Sequence, residues 1–481
     1  MNRKQNILLI CADMIGAQHL GCYGDPLQVT PTLDRLSKNG IQFTRAYAAA
    51  SPCIPARACM MTGMYAHTHG KMSHIHMNMD ERIPLLPALL SKHGYYTCII
   101  GKTHWYPPAS SLGALETHVT IDNHLTPELG KQDAYIRFLE EEGIVSFQGS
   151  TWETDQAALH PDNLADKHLK VNWTGWKACK VLDRLSNTEQ PFFLFVSFVE
   201  PHGHGSVKTE RLEHFLQKTT PPPREPSQEG YPKSDVQQRA ARAWMGNVST
   251  EQIHHYRAGV YASLNLVDHN IARIMDTLDR TGLLEQSTIL FTSDHGDLMF
   301  DYGLQEKTFL YDPAVRIPFI LSNPDLARGI KLEHLVSQID IAPTVCEMAG
   351  IAIEGLNMEG RSVLPICRDS KQPWRKMVFC EADQLCHIRN QVEASRTKMV
   401  RDTNWKYIYS VVNNSNVQQE LYNMNDDPEE RYNLANVPDY QDRCVAYQAE
   451  LLRWITIGEE NRLYPVSSNP YPLGKKGCRR Y

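Results

Sequence analysis

Residues 6–13 read Asn-Ile-Leu-Leu-Ile-Cys-Ala-Asp, six apolar side chains in a row followed by a carboxylate. A run of that length is strand-sized, and with no polar face it belongs in a strand covered on both sides. Phe192-Phe-Leu-Phe-Val-Ser-Phe and Ser287-Thr-Ile-Leu-Phe-Thr read the same way, while Thr32–Asn39 and Tyr256–Thr281 carry helical spacing. Strands alternating with helices predict an α/β fold, a mainly parallel sheet flanked by helices. Ligands of such sheets sit beyond the carboxyl ends of the strands. Asp13 follows the first run, Pro201-His202 the second and Asp294-His295 the third, so three strand ends are expected to converge on one site.

Outward from these strands, the stretch Lys208–Asn247 is rich in Pro, Gln, Arg and Lys, with Pro221-Pro-Pro-Arg-Glu-Pro at its middle. It reads as a surface insertion or lid. Beyond Pro365 the pattern changes. Lys376-Met-Val-Phe-Cys, Thr397-Lys-Met-Val-Arg and Lys406-Tyr-Ile-Tyr-Ser read as short antiparallel strands, and Asp439–Ile455 as a closing helix. The expected organisation is an α/β domain over 1–365, containing the 208–247 insertion, and a smaller α+β C-terminal domain over 366–481.

The 481 residues carry 49 basic and 55 acidic groups, a formal charge of −6. So mild a balance leaves no footprint for nucleic acid or a membrane surface. Ile7–Ala12 is far too short to span a bilayer, and Asn2, Arg3, Lys4 and Gln5 lead into it without a signal-peptide pattern. The twelve cysteines form no C-x-x-C pair. These features together predict a cytoplasmic protein with reduced thiols.

Residues 51–63, Ser-Pro-Cys-Ile-Pro-Ala-Arg-Ala-Cys-Met-Met-Thr-Gly, place the Cys53 thiol one turn from the Arg57 guanidinium with Pro55 between them. A thiol at a helix start beside a cation is a candidate nucleophile; the plainer alternative is a buried Cys next to a turn proline. The stretch resembles the sulfatase signature, in which this Cys is oxidised to formylglycine. Ile54 and Ala56 stand where the commoner pattern has a small residue and Ser. Ala12-Asp13-Met14 with Leu20-Gly-Cys-Tyr-Gly resembles the family's N-terminal block, Thr292-Ser-Asp-His-Gly-Asp its second metal block, and Gly94–His104 the block that carries a Lys and a His. Gln419–Ala435 is similar to the family's closing motif.

Met14 replaces the second carboxylate found in many sulfatases, so the chain resembles the branch that includes choline sulfatases and phosphonate monoester hydrolases. The resemblance implies an alkaline-phosphatase-like fold and sulfate-ester hydrolysis, with phosphonate or phosphate ester hydrolysis as the alternative and a non-catalytic anion-binding paralogue as a third reading. It implies a divalent cation, Ca²⁺ first with Mg²⁺ or Mn²⁺ as alternatives, held by Asp13, residue 53, Asp294 and His295; Asp297 is left out as a turn residue. Arg57, Lys102 and Lys307 are expected to neutralise sulfate oxygens, His202 or Lys307 to protonate the leaving group, His104 to assist release of sulfate, and His74 to contact substrate. His67, His69 and His76 are expected to hold their loop. The implied partners are an aryl, choline or sugar sulfate and a formylglycine-generating or sulfatase-maturing enzyme. The tail Tyr471–Tyr481, with its four basic residues, is either frayed or an arm across a neighbouring subunit of a homo-oligomer.

Overall fold

The computed structural model describes residues 4–73, 79, 82–104, 114–120, 133–144, 160–202, 207–225, 227, 229–246, 248–307, 309–388 and 391–461. His74, His76 and the tail expected to fray or form an arm lie outside them.

The strands in chain order are β1 (Asn6–Ala12), β2 (Ile41–Tyr47), β3 (Ala50–Ser51), β4 (Tyr96–Lys102), β5 (Glu116–Thr120), β6 (Phe192–Phe198), β7 (Ser287–Ser293), β8 (Arg316–Ile317), β9 (Phe319–Ser322), β10 (Ile330–Ser337), β11 (Val378–Ile388), β12 (Gln391–Arg401), β13 (Trp405–Val412) and β14 (Asn416–Asn423). The large sheet runs β10-β2-β9-β7-β1-β6-β4-β5, with β8 beside β2. The three apolar runs that decide the fold are its three central, adjacent strands. β1 pairs in parallel with both β6 and β7, and antiparallel pairing enters only where β8 and β9 join.

Alternation along β1 explains why the run is apolar throughout. Leu8, Ile10 and Ala12 join one core with the helices Lys170–Leu185 and Thr250–Arg280. Ile7, Leu9 and Cys11 join the core on the opposite face with the helix Ile341–Met348. A polar residue at any of these positions would lie unsolvated under one helical layer or the other. The Thr250–Arg280 helix is started by a capping box between Ser249 and Gln252.

β14-β13-β12-β11 form an antiparallel sheet, closed by β3, which pairs in parallel with β11 through Glu381↔Ala50 and Ala382↔Ser51. The C-terminal helix Gln441–Asn461 packs on this sheet through Trp454, stacked on Phe379 at 4.7 Å. The segment leading into Cys53 is therefore held by residues more than three hundred positions downstream. The 208–247 stretch is not a bare surface loop. It forms the helices Thr209–Leu216 and Asp235–Met245. Val236 and Ala240 are buried with Tyr302, Tyr311 and Tyr422, because the Pro-rich middle leads into an amphipathic helix that docks on β11 and on the turn at Asp301–Gly303. No helix among the described residues is long and apolar enough to cross a membrane, and the cysteines whose side chains are described are free thiols.

Candidate active site

Parallel register builds the site. Ala12 lies level with Phe198 of β6 and Ser293 of β7, so Asp13 and Asp294 leave the sheet side by side and His202 follows from the neighbouring strand. Gly101↔Ser197 brings Lys102, the last residue of β4, to the same edge. Gly101 (φ 89°) permits the approach: a Cβ there would stand 2.0 Å from the Ser197 carbonyl oxygen. Cys53 begins the helix Cys53–Thr62, whose start is aimed at this edge.

Asp13, Cys53, Asp294 and His295 are all buried, and their ligating atoms lie within 4.8 Å of one another. His295 Nδ1 lies 2.9 Å from the Gly296 carbonyl oxygen and donates to it, which leaves Nε2 turned to Cys53 Sγ at 3.1 Å and to Asp13 Oδ1 at 3.8 Å. Fixing a histidine tautomer through its outer nitrogen is how proteins prepare a metal ligand. Asp13 Oδ1, though buried, accepts no hydrogen bond among the described residues. An orphaned buried carboxylate oxygen beside a second carboxylate and an imidazole lone pair fits a divalent cation. The other grouping of metal-capable side chains among the described residues, Cys98, Glu116 and His118, differs: Glu116 is already engaged by Tyr96 and Arg184.

Arg57 lies beneath this group with 1 % exposure. Its Nε donates to Asp294 Oδ2 at 2.8 Å, Nη2 to Asp13 Oδ2 at 3.2 Å, and Nη1 to the Lys102 carbonyl at 2.8 Å and Ser197 Oγ at 2.7 Å. Through Nε and Nη2 the guanidinium thus orients both carboxylates. Lys102 Nζ is 2.5 Å from Asp13 Oδ2. Lys307 Nζ lies 2.9 Å from His202 Nε2 and 3.7 Å from Met14 Sδ. His104 stands two residues beyond β4 in left-handed backbone, φ 55°, and Met14 follows Asp13 at φ 67°. Left-handed non-glycine backbone is costly and gathers at functional sites. Asp297 accepts from Tyr256 Oη at 2.7 Å and from the Met299 N–H at 3.0 Å.

Charge decides the protonation states. Burial and Asp13 oppose ionisation of Cys53, yet Lys307, His295 and Lys102 hold its thiol well below the usual range. Burial alone would hold His295 neutral, but Asp294 and Cys53 raise it to about 9, so a proton and a metal ion compete for Nε2. Burial, with Lys307 and Lys102, lowers His202 against the pull of Asp13, which suits it to accept the Lys307 N–H.

Sequence reasoning missed three supports. Ser197 holds Arg57. Ser293 Oγ receives the Ile15 N–H at 3.0 Å, and Gln338 Nε2 donates to the Asp294 carbonyl at 2.9 Å. The available signal for the serines was a hydroxyl at or next to the carboxyl end of a buried strand; Gln338 had none.

Comparison with known proteins gives one consistent family. The Sulfatase profile matches residues 5–351, and the profile of N-sulphoglucosamine sulphohydrolase, C-terminal, matches residues 300–456. An arylsulfatase of Clostridium perfringens is 26% identical, covering 97% of this chain and 99% of its own. A choline-sulfatase of Rhizobium meliloti is 26% identical over 90% of this chain and 83% of its own. The crystal structure of the phosphonate monoester hydrolase of Agrobacterium radiobacter superposes with a TM-score of 0.76 at 21% identity, covering 94% and 96% of the two chains.

Proposed function

The chain belongs to the sulfatase family and is a sulfuric ester hydrolase, and we propose that it works through a formylglycine made from Cys53 and a divalent cation held by Asp13, residue 53, Asp294 and His295. One observation carries this reading: the Cys53 side chain is the fourth member of the buried ligand group, at the start of a helix and ringed by Lys102, Lys307 and His295. Formation of the aldehyde is a two-electron oxidation in which Cβ loses its sulfur as sulfide and gains a carbonyl oxygen, the electrons passing to the oxidant of a maturing enzyme. Hydrated, that aldehyde would supply a nucleophilic hydroxyl and a second hydroxyl for the release of sulfate, and a cation held by Asp13, Asp294 and His295 would supply Lewis-acid charge.

The chain's own residues do the rest. Arg57 fixes Asp13 and Asp294. Lys102 and Lys307 place positive charge where negative charge grows on the sulfuryl oxygens. The Lys307–His202 pair delivers a proton to the leaving oxygen as the S–O ester bond breaks. His104 takes the proton whose removal frees sulfate, and His74 contacts the substrate. We assign a small sulfated substrate, an aryl, choline or sugar sulfate, the choline ester on the strength of the Rhizobium relative. Calcium is the expected ion, with magnesium and manganese as competitors, and the cytoplasm is the expected location.

Mass spectrometry of the peptide containing residue 53, paired with sulfate release from a panel of choline, aryl and sugar sulfates, tests the reading. An aldehyde at 53 and release from at least one ester are expected. An unmodified, fully active Cys53 protein would remove the formylglycine. Faster turnover of phenyl phosphonate than of every sulfate would favour the phosphonate alternative instead.

A further inference from the structure

We propose that Lys233 is a positioning residue for the Lys307–His202 pair, acting through a cage of three tyrosines that grips both ends of the loop carrying Lys307. The proposal rests on the proton delivery assigned to that pair. Lys233 Nζ stands 4.3 Å from the ring centre of Tyr302, 4.0 Å from that of Tyr311 and 4.8 Å from that of Tyr422. It also donates to the Glu430 carbonyl at 2.6 Å and to Tyr422 Oη at 3.2 Å. An ammonium removed from water and faced by ring quadrupoles binds each ring, and here three rings share one cation.

Tyr302 and Tyr311 lie on either side of Lys307 in the chain, and Tyr422 belongs to β14. The chain leading into Lys307 is strained: Met299, Phe300, Tyr302 and Glu306 have φ of 45°, 69°, 58° and 57°. Such backbone persists only where its surroundings hold it. The holding groups come from the 208–247 segment. Arg224 accepts the Tyr302 N–H on its carbonyl at 2.9 Å and donates from Nη1 to Tyr302 Oη at 3.1 Å, and Gln237 Nε2 donates to the Tyr302 carbonyl at 3.2 Å. On the far side, Tyr311 Oη and Tyr422 Oη both donate to Glu420 Oε2, at 2.7 and 2.5 Å. Ser51, two residues before Cys53, donates to the Lys307 carbonyl at 2.8 Å. A segment with no atom in the reaction thus sets where Lys307 Nζ stands against His202. A neutral side chain of similar length would fill the cage without attracting its walls, and would leave the Glu430 carbonyl without that donor.

The test compares two leaving groups. 4-Nitrophenyl sulfate departs without a proton, whereas an alkyl sulfate needs one, so a displaced Lys307 harms the second more: both lose its charge at the sulfuryl oxygens, and only the second loses its acid. Lys233→Met is expected to lower kcat on the alkyl sulfate by about tenfold or more, and on 4-nitrophenyl sulfate by less than about threefold, with KM little changed and Lys233→Arg intermediate. Tyr422→Phe, which removes the hydroxyl but keeps the ring, is the milder second variant and is expected to show the same selectivity at smaller size. Equal losses on both substrates, or no loss on either in a folded variant, would overturn the positioning role. Wild-type protein that turns over neither sulfate would instead bring down the reaction assigned above, a different result from equal losses.

Discussion

The sheet edge at Asp13 and Asp294 and the hub around Lys233 both bury cations, and they neutralise them by different means. At the edge, Arg57 and Lys102 are matched by the carboxylates of Asp13 and Asp294. In the hub the two solutions lie side by side. Lys406 is paired with Asp312 at 3.1 Å and Glu430 at 2.6 Å, whereas Lys233 is held mainly by ring faces and a carbonyl. Burial works against both ammonium groups. Glu430 and Asp312 overcome it for Lys406, whose pKa is raised; for Lys233 burial prevails over Glu420, Glu430 and Asp427, with Lys406 adding to it, and the pKa falls to about 8. Carboxylates fix a charge in place. Aromatic walls hold a charge that can still be withdrawn.

The largest expected effect separates catalysis from architecture. Cys53→Ala should cost about 10⁴-fold or more in kcat, with circular dichroism and melting unchanged because a single buried sulfur is lost. Residual sulfatase activity near wild type would contradict the role of residue 53. In the hub, Lys406→Met should destabilise by about 3–5 kcal/mol, because Asp312 and Glu430 are left as uncompensated buried charges. Lys233→Met should cost only about 1–2 kcal/mol, since it strands no carboxylate. Urea titrations giving equal losses would erase the distinction between the two cages.

Asp294→Asn should lower activity by about a hundredfold and weaken metal binding, with partial recovery in excess Ca²⁺ or Mn²⁺. The melting temperature with and without a chelator reads the same site independently of turnover, and a shift identical to wild type would argue against Asp294 as a ligand. The smallest effect concerns pH. Lys233 folds with a pKa near 8, below the ordinary lysine value, so between pH 8 and 10 the unfolded chain binds more protons there than the folded one, and this group makes stability rise with pH. The difference in stability between wild type and Lys233→Met should therefore move in favour of wild type by roughly 1 kcal/mol per pH unit across that window. A difference independent of pH would mean that Lys233 is not perturbed.

Legibility followed local pattern. β1, β6 and β7 could be read directly because a strand buried on both faces must be apolar at each position. β2, Ile41-Gln-Phe-Thr-Arg-Ala-Tyr, mixes polar residues into its run, since Thr44 and Arg45 are only half-buried near the sheet margin, and so gave no clear period. Asp13, Cys53, Asp294 and His295 were legible as members of recognisable blocks, and parallel register does bring them together. The partners of Arg57 were not, because they depend on which strands become neighbours. Lys233 was hidden for the same reason: its three tyrosines sit at 302, 311 and 422, and nothing local marks a lysine for an aromatic cage.

The pairing of β3 with β11 also sets a clock. Cys53 is 1 % exposed in the finished fold, so the oxidation proposed for it belongs to an earlier stage, before β3 is covered. The strand beside it cannot close until residues 381 and 382 exist. At ~5–20 residues per second, synthesis of the intervening stretch takes roughly 15–65 seconds. The two-residue bridge at Ala50–Ser51 thus defines an interval, timed by translation, during which the future active site remains a peptide that another protein can still handle.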